Sequence, residues 1–388
     1  MIDYDVIVIG AGPAGSTAAR TLAERNRNVL LLEKAPSLGR AKACGGMLAY
    51  QDFSDFDISE DIIETKMERE ITVYPWLRRV KSYPTVTVSR SVLDEYLAMD
   101  AEKSGADIVT CCRATNVTRR GNGRVEIEIR SDGRSAELEC KIAVFAGGVN
   151  SLAYRTMGIG FRKRVDNLAF GLVYEFESLD NRSTEYHIFF GLTPLTKWGY
   201  AWIFPNKHIL NVGVYLLERE FRGHPHKNKL IEHYIDSADT EFARMLRGKK
   251  ILKKTGAHIP LEVAARLCDD SVLAAGDAAG LVYPLTGAGI HTALYSGWLA
   301  GLVADQALSI GDCSRQVLST YEREIKKAAF YQDMRRQFQI LKLSMPLRGL
   351  DSKLYPKLFH LYKLGRELSL LSKLRVAAYP FAGKLSEI

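Results

Sequence analysis

The order of apolar and polar positions predicts a strand, a helix and a second strand at the start of the chain. Tyr4–Ile9 form an apolar run with a β-branched bias, Pro13 to about Arg25 follow a helical period, and Val29–Leu32 form a second apolar run. Such alternation is typical of an α/β domain with a buried sheet. A further helix and further short strands are predicted at Ser91–Ser104, Asp107–Cys111, Val125–Arg130, Glu137–Ala146 and Ser271–Ala275.

Residues 160–262 have a different pattern, with alternating runs rich in aromatic side chains. Runs of this kind predict an antiparallel sheet, and they lie at Leu168–Phe176, Glu185–Phe190, Tyr200–Phe204 and Ile209–Leu216. Beyond residue 314 the period is helical. We therefore expect a discontinuous α/β domain at 1–155 and 263–313, an inserted antiparallel-sheet domain at 156–262, and a basic helical region at 314–388.

The excess of positive charge lies in the C-terminal region. The chain has 388 residues and a net charge of +8, and residues 311–388 hold 15 Lys and Arg against 7 Asp and Glu. Leucines there recur at helical spacing with basic residues between them: Leu354, Leu358, Leu361, Leu364, Leu368 and Leu371, with Lys353, Lys357, Lys363, Arg366 and Lys373. This amphipathic segment suits either packing over a ligand tunnel or lying on a membrane surface. An anionic partner is expected, and no nucleic-acid recognition module accompanies the charge.

Three further features bear on the compartment. The six cysteines show no CxxC pair and no His-flanked spacing, which argues against a metal site and a disulfide framework. The first residues lack the basic stretch of a signal peptide. The nearly uncharged stretch Ala278–Ala304 contains glycines and a proline, so we interpret it as a buried loop and helix instead of a membrane span. We expect a cytoplasmic protein, with a peripheral position at the inner face of the cell membrane as an extension.

A glycine-rich motif joins the first strand to the first helix. In the GxGxxG pattern, Gly10 permits the tight turn, Gly12 lets the backbone approach a pyrophosphate, and Gly15 lets the helix pack close to the strand. The helix N-terminus then faces negative charge. Glu33 ends the next strand and is the expected acceptor for ribose hydroxyls. The motif predicts a dinucleotide site without separating FAD from NAD.

A late turn favours a flavin. Gly276–Gly280 follows a short buried strand, and Pro284–Ile290 leads into a helix. Asp277 is placed to bind the ribityl hydroxyls of a flavin. The glycines that follow present backbone N–H groups at a helix start, where they stabilise negative charge on a reduced flavin.

Taken together, these motifs resemble the flavoprotein superfamily of the p-hydroxybenzoate hydroxylase fold. Within it, Lys42–Leu48 (KACGGML) and Tyr200–Pro205 (YAWIFP) are similar to the geranylgeranyl reductases, particularly the archaeal digeranylgeranylglycerophospholipid reductases. The resemblance covers roughly residues 1–310. It implies a Rossmann-like FAD-binding domain with an inserted antiparallel-sheet substrate domain and C-terminal helices. Residue by residue it implies FAD contacts at Ala14, Glu33, Cys44, Gly45, Met47, Arg90, Ala114, Asp277, Gly289 and Ile290.

Arg90 also fits this role by its own chemistry, since a guanidinium suits a pyrophosphate. Two departures from the family pattern stand out. The chain reads Ala146-Gly147-Gly148 where the family often has Ala-Asp-Gly, which puts one acid near the flavin domain in doubt. It has Lys197 where the family has a proline, which puts the entrance of the substrate pocket in doubt.

The activity implied by the resemblance needs an acid near the flavin. An isolated prenyl double bond has no carbonyl to accept electron density, so a proton must reach one carbon as hydride reaches the other. Cys44 is a candidate proton donor or relay, and small-residue packing is the alternative. Tyr200, Trp202 and Phe204 alternate along one strand and so share a face, which suits either a prenyl tunnel or a sheet core. We name Cys44, Tyr200 and Trp202 as catalytic candidates and interpret His291 as structural.

We therefore expect an FAD-dependent reductase that saturates geranylgeranyl chains of lipids, most simply archaeal membrane lipid precursors. The electron donor would be reduced ferredoxin or NAD(P)H, because no second GxGxxG follows a strand. Two alternatives stay open. One is a flavin monooxygenase or halogenase of the same fold, since halogenases carry a WxWxIP that YAWIFP partly echoes. The other is an electron-transfer flavoprotein acting on a membrane quinone, although that class often carries an iron–sulfur cluster.

Overall fold

The computed structural model describes residues 4–39, 42–178, 183–193, 195–196, 198–345 and 353–367. The strands in chain order are β1 Tyr4–Ile9, β2 Val29–Leu32, β3 Met47–Leu48, β4 Thr65–Val73, β5 Arg78–Thr87, β6 Asp107–Val109, β7 Cys112–Arg119, β8 Val125–Ser131, β9 Arg134–Phe145, β10 Leu168–Glu177, β11 Glu185–Phe190, β12 Gly199–Asn206, β13 Ile209–Leu217, β14 Ile251–Pro260, β15 Cys268–Asp269 and β16 Val272–Ala274.

The helices lie between and after these strands. In chain order they are α1 Pro13–Ala23, α2 Gln51–Asp55, α3 Arg90–Lys103, α4 Ala153–Met157, α5 Glu218–Gly223, α6 Leu230–Ser237, α7 Glu241–Leu246, α8 Ile290–Ile310, α9 Arg315–Lys327, α10 Ala329–Ser344 and α11 Leu354–Glu367. Short 3-10 turns join several of them. No helix within the described ranges is long and apolar enough to cross a membrane.

The first sheet has the order β15-β16-β9-β1-β2-β6, in which all neighbours are parallel except β15 and β16, and the β7–β8 hairpin pairs with β9. Its central strands are continuous apolar runs because both faces of the sheet are buried. Val6 and Val8 of β1 are fully buried, and α1 packs closely on α8. The carboxyl ends of β1, β9 and β16 therefore meet at one edge, where a doubly wound sheet binds its ligand.

The second sheet has the order β14-β10-β13-β12-β11-β4-β5-β3. Its neighbours are antiparallel except for β11 and β4, which are parallel. Long antiparallel ladders hold the centre of the sheet together. In the ladder of β10 with β14, Leu168 is opposite Pro260, and in the ladder of β12 with β13, Gly199 is opposite Leu216. One face packs on α6 and α7, and the other packs on α11 and the first sheet's late turn. The sheet thus brings β12 to the edge of the first domain.

The α/β class and the two-sheet architecture with C-terminal helices agree with the sequence expectation. The predicted strands are present with ends shifted by a few residues, while β3, β4, β5, β7, β14 and β15 were not predicted. Among these, β4, β5 and β14 carry charged side chains on exposed faces, which hides the apolar alternation. Residues 47–87 add β3–β5 to the second sheet, and the domain boundaries themselves remain a prediction.

The last described helix, α11, buries aromatic side chains and not its leucines. Tyr355 and Phe359 are fully buried, whereas Leu354, Leu358 and Leu361 are half-buried. The sequence pattern did not show which face is buried, because the leucines and the aromatic residues both recur at helical spacing and the leucines are more numerous. Side chains beyond residue 363, including Leu364 and Arg366, and all of Leu368, Leu371 and Lys373 lie outside the described part, as does Lys197.

Candidate functional site

The predicted dinucleotide loop forms a tight turn between β1 and α1. Gly10 has φ of 108°, and a Cβ atom there would lie 2.6 Å from the carbonyl oxygen of Ala146, so only glycine fits. Gly12 is the N-cap of α1 without a side-chain cap, and Pro13 takes the first helical position. This helix start keeps backbone N–H groups without a side-chain cap, as an anion site requires.

Glu33 stands at the end of β2, beside this loop. Its two carboxylate oxygens accept the backbone N–H groups of Ala11 at 3.0 Å and of Ala35 at 2.9 Å. These bonds fix the carboxylate and leave each oxygen a second lone pair for a ribose hydroxyl. Ala114 lies on the adjoining strand β7, whose first residue, Cys112, donates its N–H to the carbonyl of Glu33.

Three charged side chains lie over the loop. Asp94 is 1% exposed and pairs with Arg90 through two bonds of 2.9 and 3.0 Å and with Lys42 at 2.9 Å. Burial acts to raise the pKa of Asp94, but the two cations lower it overall. The Nζ of Lys42 lies 3.5 Å from the position that a Cβ atom would take on Gly12. The cluster carries two cations and one anion at the expected diphosphate position.

The late turn lies against the same place. A Cβ atom on Gly276 would be 2.9 Å from the Cβ of Ala14, so the turn abuts the start of α1. Burial raises the pKa of Asp277, opposed by the charges of Arg90 and Lys42. Its Oδ1 approaches Gly289, the uncapped N-cap of α8. Ile290 begins that helix and is buried next to α3.

Cys44 and Gly45 connect this charged region to the second sheet. The guanidinium of Arg90 also contacts the thiol of Cys44; burial acts to lower the pKa of Arg90, and the charges of Asp94 and Cys44 raise it. A Cβ atom on Gly45 would lie 2.8 Å from the ring of Phe204 and 3.5 Å from Nε1 of Trp202. Met47 follows on β3 and packs against the same aromatic cluster.

Asn211 joins two of the predicted site residues, and sequence reasoning missed it. Its side-chain N–H donates to the carbonyl of Cys44 at 2.9 Å, and its Oδ1 accepts the indole N–H of Trp202 at 2.9 Å. Asn211 is 8% exposed and lies on β13 opposite Phe204. The sequence placed Lys42 only in the motif around Cys44 and did not predict its position beside the glycine turn. A buried amide beside an aromatic strand is the one sequence feature that could have indicated Asn211.

Tyr200, Trp202 and Phe204 lie in a row on one face of β12. Their ring centroids are 5.8 and 5.9 Å apart. The hydroxyl of Tyr200 donates to the carbonyl of Thr286 in the late turn. Burial and the neighbouring Cys44 raise the pKa of Tyr200, so the hydroxyl stays protonated at neutral pH. The row thereby ties the second sheet to the late turn.

The aromatic row continues into α11. Tyr200 stacks on Tyr215 at 5.5 Å and contacts Phe359 at 6.4 Å between centroids. Tyr355 donates its hydroxyl to the carbonyl of Leu285. Among the two alternatives for the amphipathic segment, its described part therefore packs over the aromatic face of β12.

A cavity of about 600 Å³ opens beside His291, on another side of α8. It is lined by aromatic side chains that include Phe56, Tyr295, Trp298 and Phe330. Nδ1 of His291 lies 2.6 Å from Oδ1 of Asp52, and this bond raises the pKa of the histidine against the effect of burial. The pairing fits the structural interpretation of His291.

These residues fit an FAD molecule. The tight glycine turn tolerates no side chain at Gly10 or Gly15, two helix starts lack a side-chain cap, Glu33 keeps free lone pairs, and cations lie over the turn. Across the described ranges, no group of three or more His, Cys, Asp or Glu side chains is placed to hold a metal ion.

Comparison with known sequences places this arrangement among characterised families. The family described as lycopene cyclase protein matches residues 5–348. A digeranylgeranylglycerophospholipid reductase of Methanocaldococcus jannaschii is 30% identical over 339 residues, covering 84% of this chain and 82% of its own length. One from Methanococcus aeolicus is 28% identical and covers 91% of both chains.

Known structures share the fold. A geranylgeranyl bacteriochlorophyll reductase-like protein of Thermoplasma acidophilum superposes with a TM-score of 0.83 at 24% identity, covering 98% of this chain and 97% of that protein. A flavin-dependent halogenase superposes with a TM-score of 0.72 at 19% identity, covering 92% of this chain and 67% of the halogenase. At these identities the likeness concerns the fold.

Proposed function

This chain belongs to the family of the digeranylgeranylglycerophospholipid reductases, as it does to the family described as lycopene cyclase protein, and we propose that it is an FAD-dependent reductase of carbon–carbon double bonds in geranylgeranyl lipids. The substrates would be prenylated lipids such as archaeal membrane lipid precursors. The residues that would hold FAD are those of the glycine turn, Glu33, Lys42, Arg90 and the late turn at Asp277 and Gly289.

The observation that carries this proposal is the link from the nucleotide loop to the aromatic row. Arg90 contacts Cys44, the carbonyl of Cys44 accepts from Asn211, and Asn211 holds the indole of Trp202. A thiol thus lies between the proposed dinucleotide site and a row of apolar rings. That order, in which nucleotide, acid and apolar surface follow one another, is what prenyl reduction requires.

The charged end of the site binds and orients the cofactor. Lys42 and Arg90 neutralise a diphosphate together with the open N–H groups of α1, and Asp94 holds both cations in place. Glu33 fixes the ribose end, since its carboxylate is itself held by two backbone N–H groups. When bound there, a reduced flavin supplies the hydride for the reduction.

The aromatic end binds the substrate and supplies the proton. Cys44 holds a proton on Sγ that passes to one carbon of the double bond, and solvent or a relay returns a proton to the thiolate. Faces of Tyr200 and Trp202 stabilise positive charge that develops on a tertiary carbon, worth about 0.5–2 kcal/mol per ring.

Electrons would come from reduced ferredoxin or NAD(P)H, and peripheral contact with the membrane would give access to the lipid. The test is to reduce the purified holoprotein with dithionite under anaerobic conditions, add geranylgeranyl lipids, and follow product mass. A gain of two hydrogens per double bond supports the proposal. Flavin reoxidation without a mass gain would instead indicate an electron carrier.

The halogenase neighbours make oxygen chemistry the second candidate, and the same assay distinguishes it. Halogenases and monooxygenases need oxygen for product formation. A reductase forms product without oxygen, and oxygen should only oxidise the reduced enzyme without forming product. Product that appears only in air would overturn the reductase proposal.

A further inference from the structure

Residues 76–84, called the turn segment below, comprise the end of the β4–β5 turn and the outer half of β5, and they combine basic side chains with exposed apolar ones. Residues 76–84 read WLRRVKSYP, with three basic and no acidic side chains, and Arg78 among them pairs with Glu241 of α7. Leu77, Val80 and Tyr83 are 42%, 55% and 50% exposed. Lys81 lies over the ring of Tyr83, with Nζ 5.9 Å from its centroid. Exposed apolar side chains among Arg and Lys are the composition of a surface that binds anionic lipid headgroups.

This segment also lies at the edge of the second sheet. β3 pairs only with Val86 and Thr87 of β5, so within the described chain the outer half of β5 has β4 as its only neighbouring strand. The outer half of β5 is exposed at most positions, while its inner end is buried. The outer half of β5 is therefore a solvent-exposed edge of the second sheet.

A row of contacting rings leads from the turn segment to the proposed active site. Trp76 stacks on Tyr74 at 5.6 Å between centroids, and Tyr74 stacks on Phe190 at 5.1 Å. Phe190 contacts Tyr200 at 5.7 Å. α11 covers this row, since Phe359 contacts Phe190 at 4.6 Å and His360 contacts Tyr74 at 4.9 Å. The rings form a continuous apolar row, covered by α11, between residues 76–84 and Tyr200.

We propose that residues 76–84 are the membrane-docking surface of this protein and that the lipid substrate enters between the turn segment and α11. The partner is the anionic surface of a lipid bilayer. Leu77 and Val80 insert among the headgroups, while Arg79 and Lys81 lie along the lipid phosphates. This inference rests on the proposed function for the identity of the entering chain, whereas the docking surface can be tested without turnover.

The test measures binding of the holoprotein to vesicles of phosphatidylglycerol and phosphatidylcholine, with pure phosphatidylcholine as reference. The wild-type protein should bind the anionic vesicles at low salt and dissociate from them at high salt. The double variant Leu77→Ser/Val80→Ser should bind about ten-fold more weakly. The affinity of Arg79→Gln/Lys81→Gln for anionic vesicles should fall about five-fold per charge removed, and it should depend less on salt. Ile310→Ser is the matched control, because Ile310 is 59% exposed on α8 and should not matter.

A second measurement separates docking from catalysis. The Leu77→Ser/Val80→Ser protein should reduce a short prenyl alcohol dispersed in detergent at the wild-type rate, and lose activity only on lipid in vesicles. Wild-type protein that binds vesicles and reduces neither substrate would refute the proposed function and leave the docking surface standing.

Several outcomes would overturn the docking surface itself. These are a wild-type protein that binds no anionic vesicles, variants that bind as tightly as wild type, and equal weakening by Ile310→Ser. Loss of activity on the short alcohol would mean that the turn segment supports the site. Aggregation of the charge variant with unchanged vesicle binding would mean that Arg79 and Lys81 only protect a sheet edge. If the charge variant still binds vesicles but its flavin is no longer reduced by an acidic ferredoxin, the segment would bind a protein partner instead of the membrane.

Discussion

The indole N–H of Trp202 donates to Oδ1 of Asn211, and the same amide donates to the carbonyl of Cys44. One buried side chain thus fixes both the aromatic row and the loop that carries the thiol. The two residues lie on antiparallel neighbours, where Phe204 pairs with Asn211 and Trp202 pairs with Gly213. Asn211 touches neither thiol nor glycine turn, so we assign it a positioning role.

Replacing Asn211 with leucine should separate these two parts of the site. The indole N–H and the carbonyl of Cys44 would each lose a buried partner, at a cost of about 1–3 kcal/mol in the free energy of unfolding. We expect bound FAD to be retained and kcat for double-bond reduction to fall at least ten-fold, with KM for the lipid changed less. Denaturant unfolding, FAD absorbance and product mass measure the three effects.

Asn206→Leu is the matched control for this variant. Asn206 is also a buried amide on β12, and it accepts a hydrogen bond from Thr87 but does not contact Cys44. It should lower stability by a similar amount and leave kcat near wild type. If both variants lose activity in proportion to stability, the positioning role of Asn211 is wrong.

Cys44 should be needed for proton delivery and not for cofactor binding. Cys44→Ala and Cys44→Ser should retain FAD and lose prenyl reduction, because neither side chain carries a thiol proton. Cys313→Ala, which changes a half-buried thiol of another region, should be as active as wild type. Full turnover by the alanine variant would show that Cys44 is a packing residue.

Lys42 should contribute to FAD affinity. Its ammonium lies beside the glycine turn and is bound to Asp94, so Lys42→Met removes a cation from the diphosphate position. We expect the Kd for FAD to rise about ten-fold, equivalent to about 1.4 kcal/mol, with a weaker salt dependence. Titration of apoprotein by flavin fluorescence measures this. Lys34→Met, at an exposed position of the same segment, should leave the Kd unchanged.

The sequence predicted those parts of the site whose residues are close together along the chain. The glycine turn, Glu33 and the late turn could be recognised because each combines a short motif with its own strand and helix. Asn211 and the Lys42–Asp94 pair could not, since they depend on strand register and on how α3 packs over the first loop. The sequence predicted α11 as a helix but not its buried face, which is formed by the aromatic rings and not by the leucines.

The ion pair between Glu70 and Lys363 should hold α11 on the second sheet. Glu70 also accepts from Tyr186 at 3.2 Å and Thr72 at 2.7 Å. Burial acts to raise the pKa of Glu70, and Lys363 lowers it overall. A lowered pKa stabilises the fold above the unfolded value near 4.3, and the effect is lost as pH falls through the folded value.

Glu70→Gln should therefore destabilise the protein at neutral pH by about 2 kcal/mol, a value reduced from that of a dry pair because Lys363 is partly exposed. The difference between wild type and variant should shrink below about pH 4. Thermal unfolding at several pH values measures it. Asp166→Asn, which breaks an exposed pair with Arg219, should have far less effect. An equal loss of stability in both variants would contradict the assignment of the Glu70–Lys363 pair as the contact that holds α11 on the second sheet.

The pair between His291 and Asp52 predicts the opposite pH dependence. Hydrogen bonding to Asp52 raises the pKa of His291 above its ordinary value near 6.5. A raised pKa means that the pair stabilises the fold fully below about pH 6.5 and loses its effect as pH rises through the folded value. Because the side chain of His291 is 41% exposed, we expect only about 0.5–1 kcal/mol.

The comparison of wild type with His291→Gln isolates this contribution, because glutamine keeps a neutral hydrogen bond to Asp52 and cannot carry charge. Wild type should be the more stable of the two near pH 5.5, and the difference should vanish near pH 8.5. Reduction of the short prenyl alcohol should be the same in both proteins, since the histidine contacts Asp52 and the cavity away from Cys44. A stability difference that stays constant across this range would mean that His291 is neutral when folded. A loss of turnover at unchanged stability would instead give it a part in proton transfer.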